Sequence, residues 1–273
     1  MTVDADTDAL AARDLLVSAA REAGALALEH FNPGGRTSAH VVTKAGGSPV
    51  TDADLAADSL LKRRLQEALP EAGWLSEETA DDLERLKRRS LIIVDPIDGT
   101  RAFVIGDPRW AVSIALVVDG RPVAGVVYAP ALDETYAAAR GEGATFNGAS
   151  LTPAVAWPPR AAAGPKLVIE AMAAELGVSV EIIPRVPALA YRLCLAARGA
   201  IDFAVAAENS HDWDIAAADI LLEETGARLI DASGERLRYN SQQVRRGALL
   251  AAPDTAARRL IKGFRAATAP SPS

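Results

Sequence analysis

Four consecutive apolar residues, Leu91-Ile92-Ile93-Val94, run directly into Asp95-Pro96-Ile97-Asp98-Gly99-Thr100. Three of the four are β-branched, which predicts a buried strand, and the proline that follows has no N–H for a ladder and so ends the strand at once. Two carboxylates are therefore expected just past a strand end. The fixed φ of Pro96 lets the turn aim Asp95, Asp98 and the carbonyl of Ile97 at one point. Such hard oxygen donors suit Mg²⁺, which shares its shell among carboxylates, waters and substrate phosphate. Gly99 leaves one backbone position bare and Thr100 adds a hydroxyl, at a helix or turn start whose N–H groups suit a phosphate. Asp, Pro and Gly are also the commonest turn residues, so the pentapeptide alone serves either purpose.

The rest of the chain narrows the choice. Its 273 residues suffice for one large α/β domain or two closely packed subdomains with a sizeable core. A net charge of −7 gives no sign of a nucleic-acid partner, and 49% apolar with 24% charged residues is ordinary for a globular protein. No apolar run approaches membrane-spanning length, and the N-terminal Met-Thr-Val-Asp-Ala-Asp-Thr-Asp is acidic where a signal peptide is basic, so a cytoplasmic protein without membrane association is expected. The single cysteine, Cys194, has no disulfide partner and lies in the apolar run Leu193 to Ala197, which predicts a buried structural thiol.

Helical spacing of Leu10, Leu15, Leu16, Ala19, Ala23, Leu26 and Phe31 predicts a helix over 9–31, stopped by Asn32-Pro33-Gly34-Gly35. A polar loop over 36–49 follows, bearing Lys44. Thr51 or Asp52 then caps a second helix whose buried face is marked by Leu55, Leu61, Leu65 and Leu69, with Asp54 in its first turn. Trp74-Leu75-Ser76 predicts a short strand ending in Glu77-Glu78, the same strand-then-acid pattern as at Asp95. Strands are expected over 110–118 and 123–128 around the hairpin signal Asp119-Gly120, then over 135–139 and 144–148, making two helices followed by an antiparallel sheet.

Residues 151–165, rich in Pro and Ala, cross to a second half. There 166–169 or 178–183 are expected as strands, 188–198 as a helix closed by Gly199, and 202–206 as a strand leading into Glu208-Asn209-Ser210-His211-Asp212-Trp213-Asp214. A helix over 215–224 and a strand over 228–230 place Asp214 at a strand-to-helix junction. Residues 265–273 are expected to be disordered.

Asp54, Glu77, Asp95-Pro96-Ile97-Asp98-Gly99-Thr100 and Trp213-Asp214 together resemble the inositol monophosphatase superfamily, Mg²⁺-dependent, lithium-sensitive phosphatases of small molecules. The resemblance covers about residues 9–262. It implies an α+β fold, the αβαβα layered sandwich shared with fructose-1,6-bisphosphatase, as one domain over 7–264 with halves at about 7–157 and 158–264. It implies that Glu77, Asp95 and the Ile97 carbonyl hold one Mg²⁺, that Asp95, Asp98 and Asp214 hold a second, and that Glu77 faces a third, weaker ion. It further implies that Thr100, bonded to Asp54, orients the attacking water, that Gly99 and Thr100 offer N–H groups to the phosphate, and that Lys44 lies on a loop near the ions. A homodimer is common in that superfamily.

Within the superfamily, Leu193 to Gly199 and Ser48-Pro49-Val50-Thr51 resemble the bacterial 3′(2′),5′-bisphosphate nucleotidases, CysQ, which convert 3′-phosphoadenosine 5′-phosphate to AMP and phosphate. Inositol monophosphatases carry a sugar-binding glutamate seven residues before the Trp-Asp aspartate; Ala207 stands there, with Glu208 one residue out of register as a substitute substrate contact. Arg101, next to the phosphate turn, is within reach of a second phosphate or is an exposed helix-start arginine. The alternatives are an inositol-1-monophosphatase or another polyol phosphatase such as histidinol phosphatase, and, from a different class, a regulatory binding protein with vestigial phosphatase activity.

Overall fold

Two helices lead the chain. The computed structural model describes residues 8–152 and 157–268. In it α1 (Ala9–Leu28) begins where the Asp8 carboxylate accepts the Ala11 amide at 2.8 Å. The expected loop over 36–49 is instead largely a hairpin, β1 (Val41–Thr43) against β2 (Pro49–Thr51), with Lys44 at its tip. The second helix, α2 (Asp52–Ala68), carries a reciprocal cap between Thr51 and Asp54, so Asp54 takes part in capping rather than only facing the helix dipole. Its buried stripe runs through Ala53, Ala57, Leu61 and Leu65, and Leu55, expected inside, is 47% exposed.

The first large sheet collects β3 (Gly73–Ser76), β4 (Ser90–Asp98), β5 (Ala111–Val118), β6 (Arg121–Ala129), β7 (Glu134–Ala139), β8 (Gly143–Phe146) and β9 (Ala149–Ser150), in that order. It is mixed rather than purely antiparallel, because β3 pairs parallel to β4. The hairpin signal holds: Asp119 and Gly120 both have positive φ, 51° and 76°, between β5 and β6. A correction concerns β4, which Pro96 does not terminate. Asp95 pairs with Ser113 and Asp98 with Ala111, three steps on one strand against two on the other. The extra residue is a bulge, and a bulge accommodates a proline inside a strand. The short helix α3 (Thr100–Ile105) follows.

The second half holds a five-stranded sheet ordered β11 (Glu181–Ile182), β10 (Ala161–Ala163), β12 (Phe203–Ala206), β14 (Leu249–Pro253) and β13 (Ala227–Asp231). Residues 166–169, a strand candidate, open α4 (Lys166–Leu176), a helix stopped by Gly177 at φ 65°. The helices α5 (Leu189–Ala197) and α6 (Asp212–Glu224) complete the middle of this half, and α6 starts three residues before the expected position. The last helix, α7 (Asp254–Thr268), runs past the expected end of the folded region, so Arg265 is helical; 269–273 lie outside the described residues.

Three cores stack these elements into five layers. α1 and α2 cover one face of the large sheet through Leu16, Leu61, Leu65, Ile92 and Ile114. Its other face meets α5 and α6 through Leu193, Ile215, Ile220, Leu221 and Tyr136, and the same core continues onto the small sheet through Ala204, Leu229 and Ala251. α4 and α7 close the far side through Ile169, Met172, Leu260 and Phe264. This is the αβαβα sandwich. α6 can lie this deep because its Ala216-Ala217-Ala218 run is small and Gly125 on β6 has no side chain; a Cβ there would stand 2.6 Å from Ile220 and 2.8 Å from the Ala217 carbonyl. No helix among the described residues is long and apolar enough to cross a membrane.

Candidate active site

The layers bring the ends of β3, the β4 bulge and the start of α6 to one pocket of about 180 Å³. Glu77, Asp95, Asp98, Gly99, Thr100, Arg101 and Asp214 all line it. Glu77, Asp95 and Asp214 each offer a carboxylate oxygen within 4.8 Å of the others, although 137 positions separate the first from the last. Asp98 stands slightly apart. Its two oxygens accept the amides of Leu189 at 3.0 Å and Ala190 at 2.6 Å, at the start of α5. A carboxylate has about four lone-pair sites, so each oxygen keeps one for a further partner.

Burial and mutual repulsion push the three aspartates up. Asp95, 2% exposed, is raised well above the ordinary range, first by burial and then by Glu77, Asp98 and Asp214. Asp214 is raised well for the same reasons, and Asp98 is pushed to about 7 by burial although the two α5 amides oppose this. A pocket walled with oxygen donors that repel one another fits hard divalent cations, which remove the cause of the strain. It also repels a phosphate dianion unless cations stand between.

Asp54 lies one layer behind. Its Oδ2 accepts the Thr51 hydroxyl at 2.5 Å and the Thr51 amide at 2.8 Å, and burial pushes it to about 6. The Thr100 hydroxyl stands 3.1 Å from Asp54 Oδ1 and 3.1 Å from the Ile97 carbonyl. It has one hydrogen, so donation to Asp54 leaves the carbonyl open for a cation. Gly99 turns the chain at φ 89°, and a Cβ there would meet Ala188 at 3.2 Å, just ahead of α5. Lys44 bridges Glu77 at 2.9 Å and Glu78 at 2.8 Å; burial lowers its pKa, but the two carboxylates outweigh that and hold it above its ordinary value.

One expectation changes. Glu208 does not line this pocket; it faces two other cavities, with Val168 and Ala248 in one and Asp231 and Ser233 in the other. β12 ends at Ala206, and the exposed Glu208 points away, so it is no substitute for a glutamate at 207. Arg101 lines the pocket while donating to the Gly47 carbonyl at 2.7 Å, which ties the β1–β2 tip to the phosphate turn. Sequence reasoning missed Arg185, a second pocket arginine; its one signal was the odd basic residue before Val186-Pro187. His211 stacks on Trp213 at 4.6 Å and 3°, and burial lowers its pKa. Cys194 is fully buried, as expected.

A sequence profile described as "Inositol monophosphatase family" matches residues 10–269. The chain belongs to that family. Inositol monophosphatase 2 of Solanum lycopersicum is 31% identical over 253 residues, 85% of this chain and 91% of that protein. A histidinol-phosphatase of Mycobacterium tuberculosis is 38% identical over 223 residues, 73% of this chain and 80% of the relative. The crystal structure of CysQ from Bacteroides thetaiotaomicron superposes with a TM-score of 0.76 at 26% identity, covering 89% of this chain and 97% of its own. Membership of the inositol monophosphatase family makes this a metal-dependent phosphatase, and the acids at 77, 95 and 214 are the group suited to the metal.

Proposed function

We propose that this protein hydrolyses 3′-phosphoadenosine 5′-phosphate to AMP and phosphate in the cytoplasm. The observation that carries the substrate is the pair of arginines, Arg101 and Arg185, on the wall of a pocket otherwise dominated by acids. Guanidinium groups suit a second phosphate, whereas a polyol needs hydroxyl acceptors such as the glutamate that Ala207 replaces. The likeness to CysQ supports the same reading.

Glu77, Asp95, Asp214, the Ile97 carbonyl and, through its remaining lone pairs, Asp98 would hold the Mg²⁺ ions, two or three of them. When bound, these neutralise phosphoryl oxygens and lower the pKa of water. The chain supplies the rest. Thr100 Oγ accepts a hydrogen bond from the attacking water while donating to Asp54, and Glu77 orients that water from the other side. The N–H groups of Gly99 and Thr100 bind the phosphate. Water oxygen bonds to phosphorus, the bond to the ribose 3′ oxygen breaks, and that oxygen leaves with a proton from water. No protein nucleophile is used.

Side-by-side turnover of this nucleotide, 3′-AMP, inositol 1-phosphate and histidinol phosphate tests the proposal. The bisphosphate should be preferred, and Arg185→Ala should raise its KM roughly tenfold, the worth of one charge-assisted hydrogen bond, with little change for 3′-AMP. Preference for inositol 1-phosphate overturns the substrate assignment. The 38% identity to a histidinol-phosphatase favours a second reading, decided by the same assay.

A further inference from the structure

α6 carries two sets of carboxylates on opposite faces. Asp214 faces the acidic pocket. Asp212 and Asp219 are seven residues apart, two turns on one face, and Asp214 is rotated by about 200° from Asp212. Asp212 is fully buried and Asp219 8% exposed, in a helix whose remaining buried side chains are apolar. Buried charges are poor stabilisers compared with apolar packing, so their presence here asks for another reason.

Both acids are held by one segment, residues 236–248, which is largely without helix or strand. Arg246 Nε donates to Asp212 Oδ1 at 2.6 Å and its Nη2 to the Arg238 carbonyl at 2.7 Å, with the guanidinium 5.4 Å from the Tyr239 ring centre. The Tyr239 hydroxyl donates to Asp219 at 2.8 Å, and Arg236 donates to Glu223 near the end of α6 at 2.6 Å. The segment also pairs with the backbone entering α6: the Arg246 amide donates to Ser210 and the Asp212 amide to Val244. At its other side, buried Arg85 donates to Asn240 and to the Ser241 carbonyl, and Arg85 lies on the chain between Glu77 and β4.

One strap thus grips the helix bearing Asp214 and the segment following Glu77, two acids that come from different halves of the chain. Hydrogen bonds at fixed heights along one helix face add directional restraints on its roll to the packing of Ile215, Ile220 and Leu221. A roll on the Asp212 face displaces Asp214 on the other. We propose that Arg246 and Asp212 are positioning residues for the metal site: their ion pair fixes the roll of α6 and so aims the Asp214 carboxylate at Glu77 and Asp95. Asp212 Oδ2 has no protein partner among the described residues, so Arg246 is its one direct counter-charge. The inference rests on the metal-dependent reading above but not on the identity of the ester.

The test is titration of the full-length protein with Mn²⁺ alone, followed by the resonance signal of the free ion, beside the melting temperature of the metal-free protein. Arg246→Met should weaken Mn²⁺ binding roughly tenfold, the scale on which residues behind metal ligands act. Arg246→Lys should recover part of this, since it keeps the charge but cannot also reach the Arg238 carbonyl. Asp212→Asn combined with Arg246→Met should weaken binding no further than Arg246→Met alone. Wild-type Mn²⁺ affinity in Arg246→Met, with only a lower melting temperature, overturns the proposal. If Arg246→Met does not fold, the lysine variant decides: about threefold weaker Mn²⁺ binding supports it, and unchanged binding overturns it. No ester enters the measurement, so failure of the nucleotide assay leaves this result standing.

Discussion

The two faces of α6 treat buried carboxylates in opposite ways. On one, Asp212 and Asp219 have partners from the chain itself, Arg246 and Tyr239. On the other, Asp214 meets Asp95, Asp98 and Glu77; Lys44 pairs with Glu77, but no lysine or arginine among the described residues forms an ion pair with the three aspartates, Arg101 and Arg185 standing on the pocket wall instead. Where a carboxylate holds architecture, the chain encodes its partner, a charged one for Asp212 and a neutral hydroxyl for Asp219. Where it serves chemistry, the counter-charge is left to an ion from solution.

This contrast is open to direct attack. Asp95→Asn should cut turnover by at least about a hundredfold by removing charge from the metal site. It should also raise the melting temperature of the metal-free protein, because it relieves a buried repulsion. A variant that keeps its activity breaks the metal assignment. Asp212→Asn should do the reverse to stability, lowering it by about 3 kcal/mol as Arg246 loses its counter-charge, measured by urea unfolding. Equal stability changes of the same sign in both variants would erase the distinction between the faces.

A smaller effect lies in pH. In the folded, metal-free protein burial pushes Asp98 up to about 7, and Asp95 and Asp214 are raised well above the ordinary value of 3.8. The folded state therefore holds more protons than the unfolded chain from about pH 4 upward, and the part of stability due to these groups falls as pH rises towards 7. Asp219, also pushed to about 7 by burial, contributes the same sign on the other face. Saturating Mg²⁺ should flatten only the first contribution. Melting curves at pH 5.5 and 7.5, with Mg²⁺ and with chelator, check this; an identical slope in both would show that the acids bind no ion.

Much of this was legible from residues alone, because local rules governed it. The β-branched run of β4, the Asp119-Gly120 hairpin and the Gly199 stop after α5 obey turn and strand chemistry, and each acid of the pocket follows an apolar segment. What was hidden depends on distant partners. β4 survives Pro96 because Ala111 is placed to resume the ladder at Asp98, which no local signal announces. The Leu167-Val168-Ile169 run has strand propensity, yet packing against α7 makes it helical, with Gly177 as the overlooked stop. β14 and α7 lie beyond the last strand expected, over 228–230, and Leu55, expected inside, is turned outward by α2. Asp212 carries no local signal of its role, since its partner Arg246 is 34 positions away.

The β4 bulge has one more consequence. The ladder closes on both sides of Pro96-Ile97, so the spacing of the two flanking aspartates is locked by the sheet rather than by a free loop. Gaining or losing one residue there would invert the facing of the strand beyond it, turning Asp98 away from the start of α5. An insertion or deletion at Pro96-Ile97 therefore reaches the acids directly, whereas one at the tip of the hairpin that carries Lys44 leaves the ladder around them intact.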